Sequence, residues 1–265
     1  MTTISASLVK ELRDQTGAGM MDVKRALVET DGDLEAARKI LREKGMATAA
    51  KRADRTTSEG EVLVTISGAT GTLVAVGCET EPVSKNEAFL AFAEQALEAV
   101  EAGGEGAVEA LEEERKELIG RLGENVVVVG AARLEALEGE TLAEYVHPPA
   151  NKIGVLVKLR GENAAAARRV AMHISFSNPR YATREAVPDE DVAAEREIYA
   201  NSDEVLSKPE PVREKIVDGM LQKRFFAEAV LADQAWIHDT GKTVAQALAD
   251  DGLELLDFRR FAVAG

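Results

Sequence analysis

The residue types that could carry out a reaction are few and scattered. His147, His173 and His238 stand far apart and form no metal-ligand spacing. His173 lies in an alanine-rich run and reads more simply as structural. Cys78, the sole cysteine, has no histidine near it in sequence and sits in an apolar strand run. That setting favours a core role over a nucleophile. Asp239-Thr240-Gly241-Lys242-Thr243 has the ending of a phosphate-binding loop, but Trp236 stands where that loop needs a glycine. Thr240 or Thr243 is better read as the start of a helix. Glu112-Glu113-Glu114 reads as a solvated face. No acid–base pair, triad or cofactor fingerprint emerges, so the expectation is a protein that is not an enzyme and takes no cofactor or metal.

Two other features suit contact with a partner. In Thr16-Gly17-Ala18-Gly19-Met20-Met21 the adjacent methionines follow a glycine-rich turn. On a helix their side chains diverge by about 100°, so both cannot easily enter one small core. They either edge that core or present a flexible, adaptable contact, with Arg13 and Lys24 adding charge around the turn. The second feature is Cys78-Glu79-Thr80-Glu81-Pro82-Val83-Ser84-Lys85-Asn86, between a strand and a helix. Pro82 fixes its φ and removes a donor, which suits a shaped, exposed turn. Its carboxylates either cap a helix or reach a partner.

The elements that must position these residues follow from periodicity. Ile4, Leu8 and Leu12 recur at helical spacing, Val23, Ala26 and Leu27 form a second stripe, and Leu34, Ala37, Ile40 and Leu41 a third. Asp33 suits the N-cap of that third helix and Gly45 its stop. A three-helix module over 1–45 and a linker with some helical content over 46–59 are therefore expected. Val62, Val64 and Ile66, then Leu73, Val74 and Val76, flank Gly68-Ala69-Thr70-Gly71 as a β-hairpin. A helix from Asn86 to Val100, an acidic helix near 105–119 and the strand Asn125–Val129 complete a unit over 60–139. Hairpin and helix recur at 140–176, which suggests internal duplication. Residues 189–231 read as two charged helices around Ser207-Lys208-Pro209-Glu210-Pro211, an antiparallel hairpin expected to protrude. The second unit, 140–188 and 232–265, regains a helix near 243–250 and a strand over Leu253–Phe261. The fold class is α+β, with antiparallel sheets.

The chain has 265 residues, 45% hydrophobic and 30% charged, with only 4% aromatic, so its cores are aliphatic. No apolar run is long enough to span a membrane, and Met1-Thr2-Thr3-Ile4 does not begin a secretory leader. One cysteine fits a reduced, cytoplasmic setting. A net charge of −15 argues against a nucleic-acid surface. Residues 1–55 nevertheless hold 11 Lys/Arg against 9 Asp/Glu, and seven of those bases lie between Arg38 and Arg55. They form either a solvated helix end or a contact for an acidic partner.

Leu8-Val9-Lys10-Glu11-Leu12-Arg13 followed by Thr16 through Leu27 closely resembles the N-terminal signature of bacterial elongation factor Ts. Cys78-Glu79-Thr80, Leu122-Gly123-Glu124-Asn125, the approach from His147 to Ile153-Gly154-Val155-Leu156-Val157, and Gly241-Lys242-Thr243-Val244 extend the resemblance along the chain. The family implies a ubiquitin-associated-like N-terminal module, two related α/β subdomains and an inserted helical hairpin. It also implies guanine-nucleotide exchange on elongation factor Tu: binding the GDP-loaded GTPase, loosening its magnesium and phosphate site, and preferring the nucleotide-free form. A homodimer within the complex is left open. The positions matching the family's contacts are Arg13, Met20, Met21, Lys24, Thr80, Glu81, Pro82, Val83, Leu122, Gly123, His147, Ile237 and His238. Where the family usually has Thr-Asp-Phe-Val, this chain has Thr80-Glu81-Pro82-Val83, so an aromatic wedge is replaced by a smaller ring without a π-face. A non-exchanging adaptor that docks the same partner is the alternative reading.

Overall fold

A computed structural model describes residues 4–263. Met1–Thr3, read above as no leader, and the last two residues of the 232–265 segment lie outside the described residues. The N-terminal helices are α1 (Ala6–Thr16), α2 (Met20–Glu29) and α3 (Leu34–Arg52). Leu12, Val23, Ala26, Leu27 and Ala37 are fully buried between them, and Ile4, Leu8 and Leu41 close the edges. Asp33 caps α3 as expected, its carboxylate accepting the Ala36 N–H at 3.0 Å.

Gly45 does not stop α3, and residues 46–52 belong to that helix rather than to a linker. The reason is tertiary. Gly45 faces Gly120 on α6 (Glu112–Leu122), where a Cβ built on Gly120 would stand 2.6 Å from the Gly45 Cα. Gly120 lets the backbones of α3 and α6 approach more closely than a side chain at that position permits. Arg42 straps the same crossing to Glu113 and Glu117, the latter at 3.0 Å. Arg52 and Arg55 meet Glu79, and Lys44 meets Glu29. Much of the basic segment thus faces carboxylates of its own chain.

The first sheet has the order β1 (Glu59–Ser67), β2 (Thr70–Cys78), β3 (Val126–Glu135), all antiparallel. One turn of helix, α4 (Glu81–Ser84), follows β2 and leads to α5 (Glu87–Gly103), capped by Asn86. Phe89, Phe92, Ala93, Ala96 and Val100 of α5 pack on Val74, Val76 and Cys78 together with Leu118 and Ile119 of α6. A 3₁₀ turn over Glu105–Leu111 joins the two helices.

The second sheet repeats that topology with β4 (Glu140–Val146), β5 (Ile153–Arg160) and, after a long excursion, β8 (Glu254–Ala262). In both units a hairpin is followed by a helix, and the third strand pairs beside the second, as the suspected duplication requires. α7 (Ala164–Ser177) and α12 (Val244–Asp250) cover the second sheet. Thr243 is the residue that begins α12, through a capping box with Gln246. The inner faces of the two sheets meet through Val62, Leu73, Leu156 and Val263. Glycines permit this contact: a Cβ on Gly154 would stand 2.3 Å from Val62 Cγ1, and one on Gly130 would enter the Phe261 ring.

The excursion carries α8 (Asp189–Ala200), α9 (Asp203–Leu206), α10 (Glu210–Met220), a wide turn over Leu221–Phe226 and α11 (Ala227–Ala229). The first charged helix is therefore broken at Asn201-Ser202. The hairpin has its own apolar cluster of Val205, Val217, Met220, Phe225 and Phe226, so it needs no sheet to bury its stripe. Chain then enters a short hairpin, β6 (Ala235–Trp236) and β7 (Asp239–Thr243).

Candidate partner-binding surface

The glycine-rich turn is rigidly made. Thr16 donates its hydroxyl to Leu12 O at 2.7 Å, and Gly17, at φ +65°, donates its N–H to Arg13 O at 2.7 Å. This left-handed residue closes α1, a conformation that glycine adopts without a Cβ clash. Gly19 then starts α2, its carbonyl accepting from Asp22 and Val23. Met20 and Met21 occupy the first turn of α2 at 57% and 64% exposure, so neither is a core residue. Val23, Ala26 and Leu27 take the core face, which leaves Met21, Lys24 and Val28 on the outer one. These three line a shallow groove with Arg25, Glu29 and Lys44. Val28, 56% exposed, extends the apolar patch beyond the methionines; its i+7 spacing from Met21 was the available signal. Arg13 is exposed on α1 next to the same turn.

A second surface forms where three loops of the core converge. Glu124 grips the entry to α4, its carboxylate accepting the Thr80 N–H at 3.0 Å and the Thr80 hydroxyl at 2.6 Å. Glu79 reciprocates, accepting the Asn125 N–H at 2.7 Å, and this hydrogen bond together with Arg55 holds its carboxyl below the usual range. Leu122 ends α6 and Gly123, at φ +74°, supplies the left-handed cap. Thr80–Val83 and Leu122–Gly123 therefore lie on one rim. Pro82 sits in the first turn of α4, where a missing N–H costs nothing and its fixed φ favours the helix. Glu81 and Pro82 are exposed, whereas Val83 packs toward α5. Glu81 accepts no cap bond from its side chain; Thr80 is the N-cap, and its hydroxyl is committed to Glu124.

His147 begins the third loop. It is exposed, and its Nδ1 hydrogen-bonds the Tyr145 hydroxyl at 3.1 Å. Asn151 closes the loop by donating its N–H to His147 O, then docks it on β1. Its carbonyl accepts the Val62 N–H at 2.8 Å, and its Nδ2 donates to Glu61 at 2.8 Å. Lys85, just past α4, stands 3.6 Å from the other oxygen of Glu61. His147 is thereby joined to the Thr80–Val83 rim. The sequence pattern does not single out Glu61, and it marks Glu124 only as part of the Leu122-Gly123-Glu124-Asn125 resemblance, without a role.

Ile237 and His238 stand apart from that rim, at the tip of the β6–β7 hairpin. Trp236 beneath them packs edge-on to His238 with ring centroids 4.8 Å apart. The Ile237 N–H donates to His173 Nδ1, and His173 Nε2 donates to Gln234 at 2.9 Å. Both nitrogens of this buried ring are satisfied in the neutral form, and burial pushes its pKa below the ordinary 6.5. The folded chain keeps the ring neutral, while the unfolded chain protonates as pH falls through about 6.5. Stability present above that pH is lost as it falls toward the folded-state value. The wild-type melting temperature should thus decline as pH falls below about 6.5. His173→Gln should flatten the decline in a pH series of thermal melts.

Cys78 is fully buried and its thiol is pushed up to about 12, chiefly by burial and then by Glu124, which makes it inert. Among the described residues, no cluster of three His, Cys, Asp or Glu side chains could hold a metal. No helix among them is long and apolar enough to cross a membrane. The geometry thus supplies exposed apolar and charged contacts on firmly held turns.

The family model described as Elongation factor TS matches residues 79–265. A protein named Elongation factor Ts from Thioalkalivibrio sulfidiphilus is 42% identical over 98% of this chain and 92% of its own length. Those of the same name from Cronobacter sakazakii and Escherichia coli O9:H4 are each 39% identical over 99% of this chain and 92% of theirs. With so much of both lengths aligned at this identity, the chain belongs to the elongation factor Ts family.

Proposed function

We propose that this chain, a translation elongation factor of that family, is the guanine-nucleotide exchange factor of the GTPase elongation factor Tu and works in the cytoplasm. The observation that carries the reading is the exposure of Met20 and Met21 on a turn held by the Gly17 N–H to Arg13 O and the Gly19 carbonyl to Asp22 and Val23. Flexible apolar tips on a fixed base can adapt to a partner without the base being reordered on binding. In this reading Arg13, Met20, Met21 and Lys24 grip one part of the GTPase. Thr80–Val83, Leu122, Gly123 and His147 press another, with Ile237 and His238 at a third point.

Exchange then needs no bond chemistry. If the chain binds the nucleotide-free GTPase more tightly than the GDP-loaded form, linkage requires that it weaken GDP by the same factor. Loosening of the magnesium and phosphate site is the structural form of that coupling. Pro82 offers a small apolar face at the tip of α4, so the neighbouring Glu81 and the rim share the contact.

The test is rapid mixing of the chain with GTPase preloaded with labelled GDP. Release should accelerate tenfold or more, a barrier change of at least about 1.4 kcal/mol. Tight binding with an unchanged release rate would leave an adaptor, and the exchange reading would fall.

A further inference from the structure

We propose that Glu61 is the positioning residue that holds α4 and the His147–Asn151 loop in one arrangement, so that the GTPase meets the two as a single preset surface. The inference rests on the exchange reading and assigns a residue to its geometry.

Glu61 lies in β1, on the face that carries Leu63 toward the α5 cluster. It is 7% exposed, and its Oε2 has no hydrogen-bond partner. A carboxylate withdrawn from water is costly unless it is well paired, and an apolar side chain often serves stability as well or better. Leu63, two residues on along the same face, shows that this face of the strand accepts such a residue. The charge therefore has little to offer packing, and its contacts show what else it does. Oε1 accepts from Asn151 Nδ2 at 2.8 Å, fixing a loop of the second unit. Oε2 faces Lys85 Nζ at 3.6 Å, at the end of α4 in the first unit. Lys85 also caps α4, donating its N–H to Glu81 O at 3.2 Å. One carboxylate is thus the shared anchor of two exposed loops from different halves of the molecule. The other charges nearby, Glu59 and Lys152, are paired with each other at 2.6 Å.

The test uses full-length protein carrying Glu61→Val, Lys85→Met, Asn151→Ala, or the last two together. Hydrogen exchange is read first, on the chain alone. Lys85→Met should speed exchange of the His147–Asn151 amides, although Lys85 does not touch that loop. An unchanged loop would overturn the proposal whether or not the chain exchanges nucleotide. GDP release from the preloaded GTPase is then followed against factor concentration. Glu61→Val should keep a wild-type melting temperature or better, yet raise the half-saturating concentration about fivefold. The Lys85 and Asn151 variants should be non-additive by about threefold or more, because both act through one carboxylate. Strict additivity, or a half-saturation for Glu61→Val equal to wild type, would defeat the idea. Should Glu61→Val not fold, the surface pair alone decides the matter. A wild-type chain that leaves GDP release unchanged would refute the exchange reading itself, and the hydrogen-exchange result would still stand.

Discussion

Replacing both Met20 and Met21 with alanine should weaken binding to the GTPase by about 3 kcal/mol, roughly 150-fold in Kd, while leaving the fold intact. Burying one methionine side chain contributes about 1.5–3 kcal/mol, and two at the centre of a contact behave as hot-spot residues. Both are more than half exposed in the free chain, so truncation creates no cavity in the small core built on Leu12, Val23 and Leu27. Titration calorimetry with the nucleotide-free GTPase gives the affinity, and a thermal melt confirms the unchanged fold. A double variant that binds within twofold of wild type would remove both methionines from the interface. Lys24→Ala is the contrasting variant: an exposed charge at a rim alters association rate and salt dependence more than it alters lifetime.

Gly120→Val should cost about 3 kcal/mol or more of stability and separate the N-terminal helices from the core. The Cβ alone would lie 2.6 Å from the Gly45 Cα, and backbone cannot swing aside as a flexible side chain does. The reverse position is more forgiving. A Cβ on Gly45 meets Gly120 Cα at 3.6 Å, ordinary van der Waals contact. Gly45→Ala should therefore be neutral or gain up to about 1 kcal/mol from helix propensity. Denaturant unfolding separates the two variants, and limited proteolysis between Ala53 and Ser58 reports detachment directly. Equal stability in Gly120→Val and wild type would mean that the helices can part there at no cost. Gly106→Ala, where an added Cβ meets nothing within 4 Å, is the matched control.

Local signals carried most of the element assignment. The i, i+4 stripe of Ile4, Leu8 and Leu12, the capping by Asp33, and the alternation around Gly68-Ala69 all depend on neighbours in sequence. The structure places helices and a hairpin where those signals do. Gly45 misled because its role depends on Gly120, a residue far along the chain; in one dimension a glycine after an apolar helical run looks like a stop. The basic stretch from Arg38 to Arg55 was ambiguous for the same reason, since Glu79, Glu113 and Glu117 come opposite it only on folding. In the candidate surface, residue type and spacing marked the methionine turn but left core edge and contact open, and the exposure of both side chains separates the two. The grip of Glu124 on Thr80 was not legible in sequence: Leu122-Gly123-Glu124-Asn125 stood out only as a family-like stretch, and its partner lies 44 positions away. Glu61 did leave a trace: a charge in the alternation of β1 at the position sharing a face with Leu63.

The distance along the chain between β5 and β8 has a consequence for biosynthesis. Arg160 and Glu254, opposite one another in that pairing, are 94 positions apart. As the polypeptide leaves the ribosome, β1, β2 and β3 can close their sheet before the second one is begun, since nascent chains acquire structure from the N-terminus onward. β5 waits much longer. While α7 and the helical hairpin are still being made, Ile153-Gly154-Val155-Leu156-Val157 has an unpaired side, an open template for any other extended chain. The helical insert has its own apolar cluster and can fold during this delay without using that edge. Slowing translation within codons 189–231 should therefore prolong a chaperone-dependent nascent state, whereas the same pause within codons 80–120 would fall before that edge exists.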